Sequence, residues 1–273
     1  MLSNAKLTIF AVAVIALFSY SASYAATLAH YDFTDGSGSG VDAVTDLSGS
    51  GNHGDTTNVP PTAGAGDAVG SIGWTSLNGG AINFGGQGDN VYVDTGVLWT
   101  DLDNSDWTIE VDLTHNDGAS VWSPVVAQST GSCCHWIGKK DFGTAGSQVQ
   151  IHTNVYDGAF RDVTQANYSD GNFHHLAVVH TAGTDDLDYF FDGVPIANFD
   201  MTGVVDTFNG ARGQIRIGNA GHETHNNHNG YVRGFAVSTD ALGPGSFLVP
   251  EPSSALLVAF GLLGIVGTAR RRR

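Results

Sequence analysis

Apolar and polar residues alternate without a break from Trp107 to Thr114. Trp107, Ile109, Val111 and Leu113 fall on one face, and Thr108, Glu110, Asp112 and Thr114 on the other. A period of two belongs to an extended chain, so this segment predicts a strand with one face in a core and the other solvated. A second signal is Leu187 to Phe191, then Asp192-Gly193, then Val194 to Ala197. Asp-Gly suits the two-residue turn whose twist matches its flanking strands, so this stretch predicts a hairpin. Shorter runs predict strands at Thr27 to Phe33, Ala81 to Phe84, Asn90 to Asp94, Gln148 to Thr153, Phe173 to His180, Gln214 to Gly218 and Tyr231 to Ser238. Gly, Asn and Asp turns separate them, and no long stretch between 26 and 246 has helical periodicity. Many short antiparallel strands point to an all-β fold, a jelly-roll sandwich of two antiparallel sheets. No internal repeat or linker divides 26–246, and Asn58 to Gly73 reads as a Gly/Pro/Ala-rich loop.

Both ends depart from this pattern. Lys6, the apolar run Leu7 to Phe18 and the small-residue site Ser23-Tyr24-Ala25 read as a secretory signal over 1–25, cut before Ala26. Near the other end, Val249-Pro250-Glu251-Pro252-Ser253 is proline-bounded and cannot continue a strand. Ser254 to Ala269 is apolar and uncharged. As a single transmembrane helix, residues 254–269 would reach roughly 24 Å, a little short of the ~30 Å hydrocarbon core. Arg270, Arg271, Arg272 and Arg273 then form a positive block that stays cytoplasmic and leaves the preceding domain outside. The alternative is a plain C-terminal anchor.

The order of motif, apolar helix and basic end over 247–273 resembles the PEP-CTERM sorting signal of Gram-negative bacteria that make extracellular polysaccharide. The resemblance implies that an exosortase-type membrane protease recognises the Pro-Glu-Pro segment. It also implies contact with the inner membrane during sorting, and a product at the cell surface or outside the cell.

Charge narrows the partners. The chain carries a formal net charge of −16. Between the two terminal signals the acidic excess reaches about −20, which argues against binding nucleic acid or an anionic membrane surface. Nearly all of the acid is Asp, for Glu occurs only at Glu110, Glu223 and Glu251. Asp in loops suits turns and hard cations such as calcium. The only cysteines, Cys133 and Cys134, are adjacent. Two cysteines make no disulfide framework; a strained vicinal bridge, pairing between chains and free thiols all remain open. His135 beside them invites a metal reading, but the local pattern supplies no second ligand group.

A further resemblance spans about 28–245. Its first part is Tyr31-Asp32-Phe33-Thr34-Asp35-Gly36, Asp46 to Gly54, Ala81 to Gly86, Asp89 to Val93 and Trp107 to Val111. Its second part is Asn172 to Val178, Phe191 to Pro195, Ile215 to Asn219 and Gly230 to Ser238. In this order the motifs resemble a laminin-G-like domain of the concanavalin A-like lectin/glucanase superfamily. The resemblance implies a jelly roll of two curved antiparallel sheets.

Four groups of residues carry candidate chemistry. In the loop Asp46 to Gly54, glycines permit turns that can aim carbonyls and a carboxylate at one point. The resemblance implies a structural calcium ion there, with Asp46 and Asn52 as ligands. Arg233 stands in the last strand where the family commonly has Asp, and its charge would repel the ion. The competing reading is a Gly-rich turn capped by Asp46. The second group is Glu110 and Asp112. Catalytic members of the superfamily carry a Glu-x-Asp-x-(x)-Glu strand, but here Thr114 and His115 occupy the positions of the second Glu. A solvated strand face is therefore the expected role. The third group is His222, His225 and His228, spaced to gather a metal ion or simply to form a polar loop between the last two strands. The fourth is Trp74, Trp99, Trp122 and Trp136, in or beside loops, where sugar rings could stack, although core packing is expected for at least two.

These readings combine into an exported, non-enzymatic binding module for extracellular polysaccharide, with a surface protein as the alternative partner. A polysaccharide-cleaving enzyme is the third class. The ligand-binding residues themselves are not identifiable from the sequence.

Overall fold

The alternation that predicts strands is realised along most of the chain. In a computed structural model the described residues are 26–33, 40–57, 73–75, 80–85, 91–103, 105–116, 122–129, 136–140, 150–154, 161–164, 170–203, 213–219 and 228–249. The secretory signal over 1–25, Cys133, Cys134, His135, His222, His225 and everything from Pro250, including the helix expected at 254–269, lie outside them.

The described strands are β1 (Thr27–Asp32), β2 (Gly73–Thr75), β3 (Ala81–Asn83), β4 (Val93–Leu98), β5 (Trp107–Leu113), β6 (Trp122–Gln128) and β7 (Trp136–Lys140). They continue as β8 (Gln150–Asn154), β9 (Arg161–Thr164), β10 (His174–Thr181), β11 (Asp186–Phe191), β12 (Val194–Asp200), β13 (Gln214–Ile217) and β14 (Tyr231–Ser238). They form two sheets. The larger has the order β12-β11-β10-β5-β14-β3-β2, with β1 also on β14, and the smaller has the order β4-β13-β6-β7-β8-β9. Every pairing is antiparallel. Among the described residues no helix is long and apolar enough to cross a membrane.

The core lies between the sheets. Trp107, Ile109, Val111 and Leu113 of β5 share one apolar cluster with Val93 and Val97 of β4, Val126 of β6, Ile137 of β7 and Ile215 and Ile217 of β13. Each such side chain contributes roughly 1.5–3 kcal/mol on leaving water. The hairpin of β11 and β12 closes where expected. Asp192 and Gly193 both have positive φ, 49° and 71°, as a two-residue turn of matching twist requires.

Two expectations are corrected. The strand expected at Asn90 to Asp94 is displaced toward the C-terminus, for β4 begins at Val93 and continues to Leu98. Gly96, at φ 75°, lies inside an irregular stretch where Leu98 pairs with Gln214 and Asp94 with Arg216, so the chain passes through and keeps Val97 in the core. The second correction concerns the polar face of β5, which is not solvated: all seven residues of the strand are buried. The cover is the chain itself. After β14 it turns back across the outside of the larger sheet, where Thr108 Oγ1 donates to the Asp240 carbonyl at 2.7 Å and accepts from Leu242 N–H at 2.9 Å.

Candidate functional site

The outer face of the smaller sheet is assembled by register. Ile215 and Ile217 of β13 point into the core, so Arg216 between them points away. Arg216 sits opposite Asp94 on one side and Ala127 on the other; Ala127 is opposite Trp136, and Trp136 opposite Asn154. These positions make one row across five strands. Arg216 donates to both carboxylate oxygens of Asp94, from Nε at 2.8 Å and Nη2 at 3.0 Å. Its guanidinium carbon lies 3.6 Å from the centroid of the half-buried Tyr92 ring. A paired fork on an aromatic ring is a rigid, charge-neutral platform. Its planar and hydrogen-bonding groups can face a sugar ring and its hydroxyls. Of the four tryptophans considered for sugar stacking, Trp74 and Trp99 are core residues, whereas Trp122 and Trp136 begin β6 and β7.

The outer face of the larger sheet has a different character. Glu110 and His175 are buried, and their Oε2 and Nε2 atoms are 3.1 Å apart. Glu110 also accepts the N–H groups of Leu248, at 3.1 and 3.0 Å, and of Val249, at 3.0 Å. Next to it Arg233 Nε donates to Asp112 Oδ2 at 2.6 Å, and the guanidinium lies 4.3 Å over the Phe173 ring. Burial raises the Asp112 pKa, and the Arg233 charge offsets only part of that rise. Arg233 is thus committed to Asp112. At the end of the sheet His174 is held between Asp192, 2.8 Å from Nδ1, and Asp170, 3.0 Å from Nε2. Burial alone would lower its pKa, but the hydrogen bonds to Asp192 and Asp170 outweigh it and the imidazole titrates above its ordinary range. Single-residue alternation gave no sign of this Asp-His-Asp arrangement, because its members come from a loop, a strand and a turn.

In the loop Asp46 to Gly54 the carboxylate of Asp46 accepts five donors. His30 N–H and Ser48 N–H reach Oδ1 at 3.0 and 2.9 Å. Ser48 Oγ, Gly51 N–H and Asn52 N–H reach Oδ2 at 2.8, 3.0 and 3.2 Å. Desolvation by burial acts to raise the Asp46 pKa, but these hydrogen bonds prevail and hold it below the usual carboxylate range. Asn52 Nδ2 donates to the Leu28 carbonyl at 2.7 Å. In this arrangement the donor set is that of a cap, and a calcium ion would have to displace N–H groups to reach Asp46, so the fit is poor.

His228 is buried, with Nε2 3.0 Å from the Thr114 carbonyl and its ring against Phe84 and His115. It is packed in the core, in the segment just before β14. Among the described residues no group of three or more His, Cys, Asp or Glu side chains is arranged to hold a metal ion.

A family model described as the concanavalin A-like lectin/glucanases superfamily matches residues 84–246. A second model, for the PEP-CTERM protein-sorting motif, matches residues 248–273. The sequence matches no curated protein. Among solved structures, domain 4 of an extracellular GH43 arabinanase from Geobacillus stearothermophilus, in complex with arabinotriose, is similar with a TM-score of 0.54 at 16% identity. That match covers 81% of this chain and 96% of the other. Trypanosoma rangeli sialidase is similar with a TM-score of 0.53 at 13% identity over 89% of this chain, which spans 38% of the sialidase. At these identities the likeness shows the shared sandwich fold.

Proposed function

Because the chain belongs to the concanavalin A-like lectin/glucanases superfamily and ends in a PEP-CTERM sorting motif, we propose that it is an exported carbohydrate-binding module. An exosortase-type system delivers it to the cell surface or the surrounding matrix. Its ligand is extracellular polysaccharide, held on the outer face of the smaller sheet. The observation that carries this reading is the Tyr92–Arg216–Asp94 platform, a stacked and paired group on a strand face outside the core. An aromatic ring with a fixed polar fork beside it suits a sugar, which offers an apolar face and a rim of hydroxyls. The arabinanase domain bound to arabinotriose lends the reading support through its fold.

The module binds its polymer without cleaving it. Retaining and inverting glycosidases ordinarily need two carboxyl groups facing one bond. Glu110 is instead enclosed by His175 and the amides of Leu248 and Val249, which supports a structural role. The test is binding of the protein to arrayed polysaccharides beside Tyr92→Ala and Arg216→Ala. Binding that falls at least tenfold in both variants, with unchanged Tm, is expected. Silence across the array, with capture of a surface protein, would replace this reading with protein adhesion.

A further inference from the structure

The sorting motif begins inside the folded domain. Val249, the residue before the Pro-Glu-Pro segment, is 2% exposed. The Val249 side chain lies over Gly234 of β14, where an added Cβ would meet Val249 Cγ1 at 3.1 Å, so the absence of a side chain at 234 makes its seat. The amides of Leu248 and Val249 are consumed by Glu110. One residue earlier, the Phe247 ring lies 5.0 Å from that of His175 and 5.3 Å from that of Phe190, edge-on to the latter. Three consecutive residues are therefore pinned to β5, β10, β11 and β14 immediately before Pro250.

This arrangement bears on processing. A protease engages its substrate as an extended chain, through backbone amides and alternate side chains on both sides of the target bond. Here those groups are already occupied on the N-terminal side of the Pro-Glu-Pro segment. We propose that Glu110, His175 and Gly234 form a clasp that withholds the start of the sorting motif from its protease, so that release of Phe247 to Val249 gates processing. Glu110 is the positioning residue: a carboxylate accepts both amides at once, whereas a carboxamide would turn one N–H group against another. The inference rests on the sorting-motif reading and is independent of what the module binds.

The experiment uses the full chain, as wild type, Phe247→Ala and Glu110→Gln. Phe247 lies outside the sheets, so its truncation loosens the clasp even if the Glu110 variant fails to fold. Hydrogen exchange at the Leu248 and Val249 amides is measured in the detergent-solubilised precursor, with β5 and β10 amides as the control for folding. Conversion of precursor to mature protein is followed in cells that carry the sorting protease. Protection of the two amides at least tenfold above a free peptide is expected in the wild type. A loss of that protection and severalfold faster conversion are expected in Phe247→Ala. Unprotected amides in the wild type, or unchanged or slower conversion in a loosened variant, would overturn the proposal. Protected amides with no conversion of any variant would overturn the sorting reading, and the gating role with it.

Discussion

Asp46 shows how much one short side chain can organise. Five donors converge on it, and removing it would leave the partly buried N–H groups of His30 and Asn52, and the N–H of Gly51, without that acceptor. Asp46→Ala should lower stability by roughly 2–4 kcal/mol in chemical denaturation, since each buried group left unsatisfied costs about 1–3 kcal/mol and part of the loop can relax into water. The same capping role predicts an unchanged Tm between excess calcium and chelator; a higher Tm with calcium would mean that the loop rearranges into a site. Because the Asp46 pKa is depressed in the folded protein, its contribution is fully present above the ordinary carboxylate range and is lost as pH falls through the depressed value. His174 acts in the opposite direction. Its pKa is raised, so the stability it adds is complete below the ordinary imidazole range and fades as pH rises through the raised value. In an NMR titration its ring should change protonation above the free-histidine range, and Asp192→Asn should bring the midpoint down. The turn-capping role of Asp46 was legible because Asp-x-Ser with nearby glycines is a local pattern. The partners of Glu110 were not, because His175, Leu248 and Val249 lie 65, 138 and 139 residues away in sequence, and neither was the Asp192 partner of His174, 18 residues on.

At the scale of elements, local signals were read well and tertiary cover was not. Strand β14 has the limits that its alternation predicts, and the β11–β12 turn carries Asp-Gly in the conformation that such a turn demands. Gly193→Ala places a Cβ at φ 71° and should cost about 1–2 kcal/mol, measurable as a lower denaturation midpoint without loss of the fold. Strand β5 was legible as a strand, but its polar face is buried by a segment more than 125 residues downstream, which no periodicity can report. Strand β6 carries Pro124 next to a register shift, and Gly138 of β7 leaves room for the Ser123 and Pro124 backbone. A proline inside the run hid this strand from a reading based on alternation.

At the scale of the molecule, the two sheets divide the work. The middle of the larger sheet, around β5, β10 and β14, faces the core on one side and the returning chain on the other. In the smaller sheet the positions of Asp94, Arg216, Ala127, Trp136 and Asn154 form one row across the strands, in which Ala127 is buried and the Arg216–Asp94 pair is partly exposed. The sandwich was visible in the order of motifs, but this row was not, because it depends on register among β4, β13, β6, β7 and β8. Mass measurement of the protein recovered from cells should show a C-terminus short of Arg273, and an intact tail would argue for a plain anchor. The central claim, binding without cleavage, is tested most directly by native electrophoresis of the protein through gels containing extracellular polysaccharide. Wild-type protein should be retarded, Tyr92→Ala should run as in a polysaccharide-free gel, and no new reducing ends should form. Equal mobility of the two proteins in every polysaccharide, or reducing ends that appear with wild type and vanish with Glu110→Gln, would contradict it.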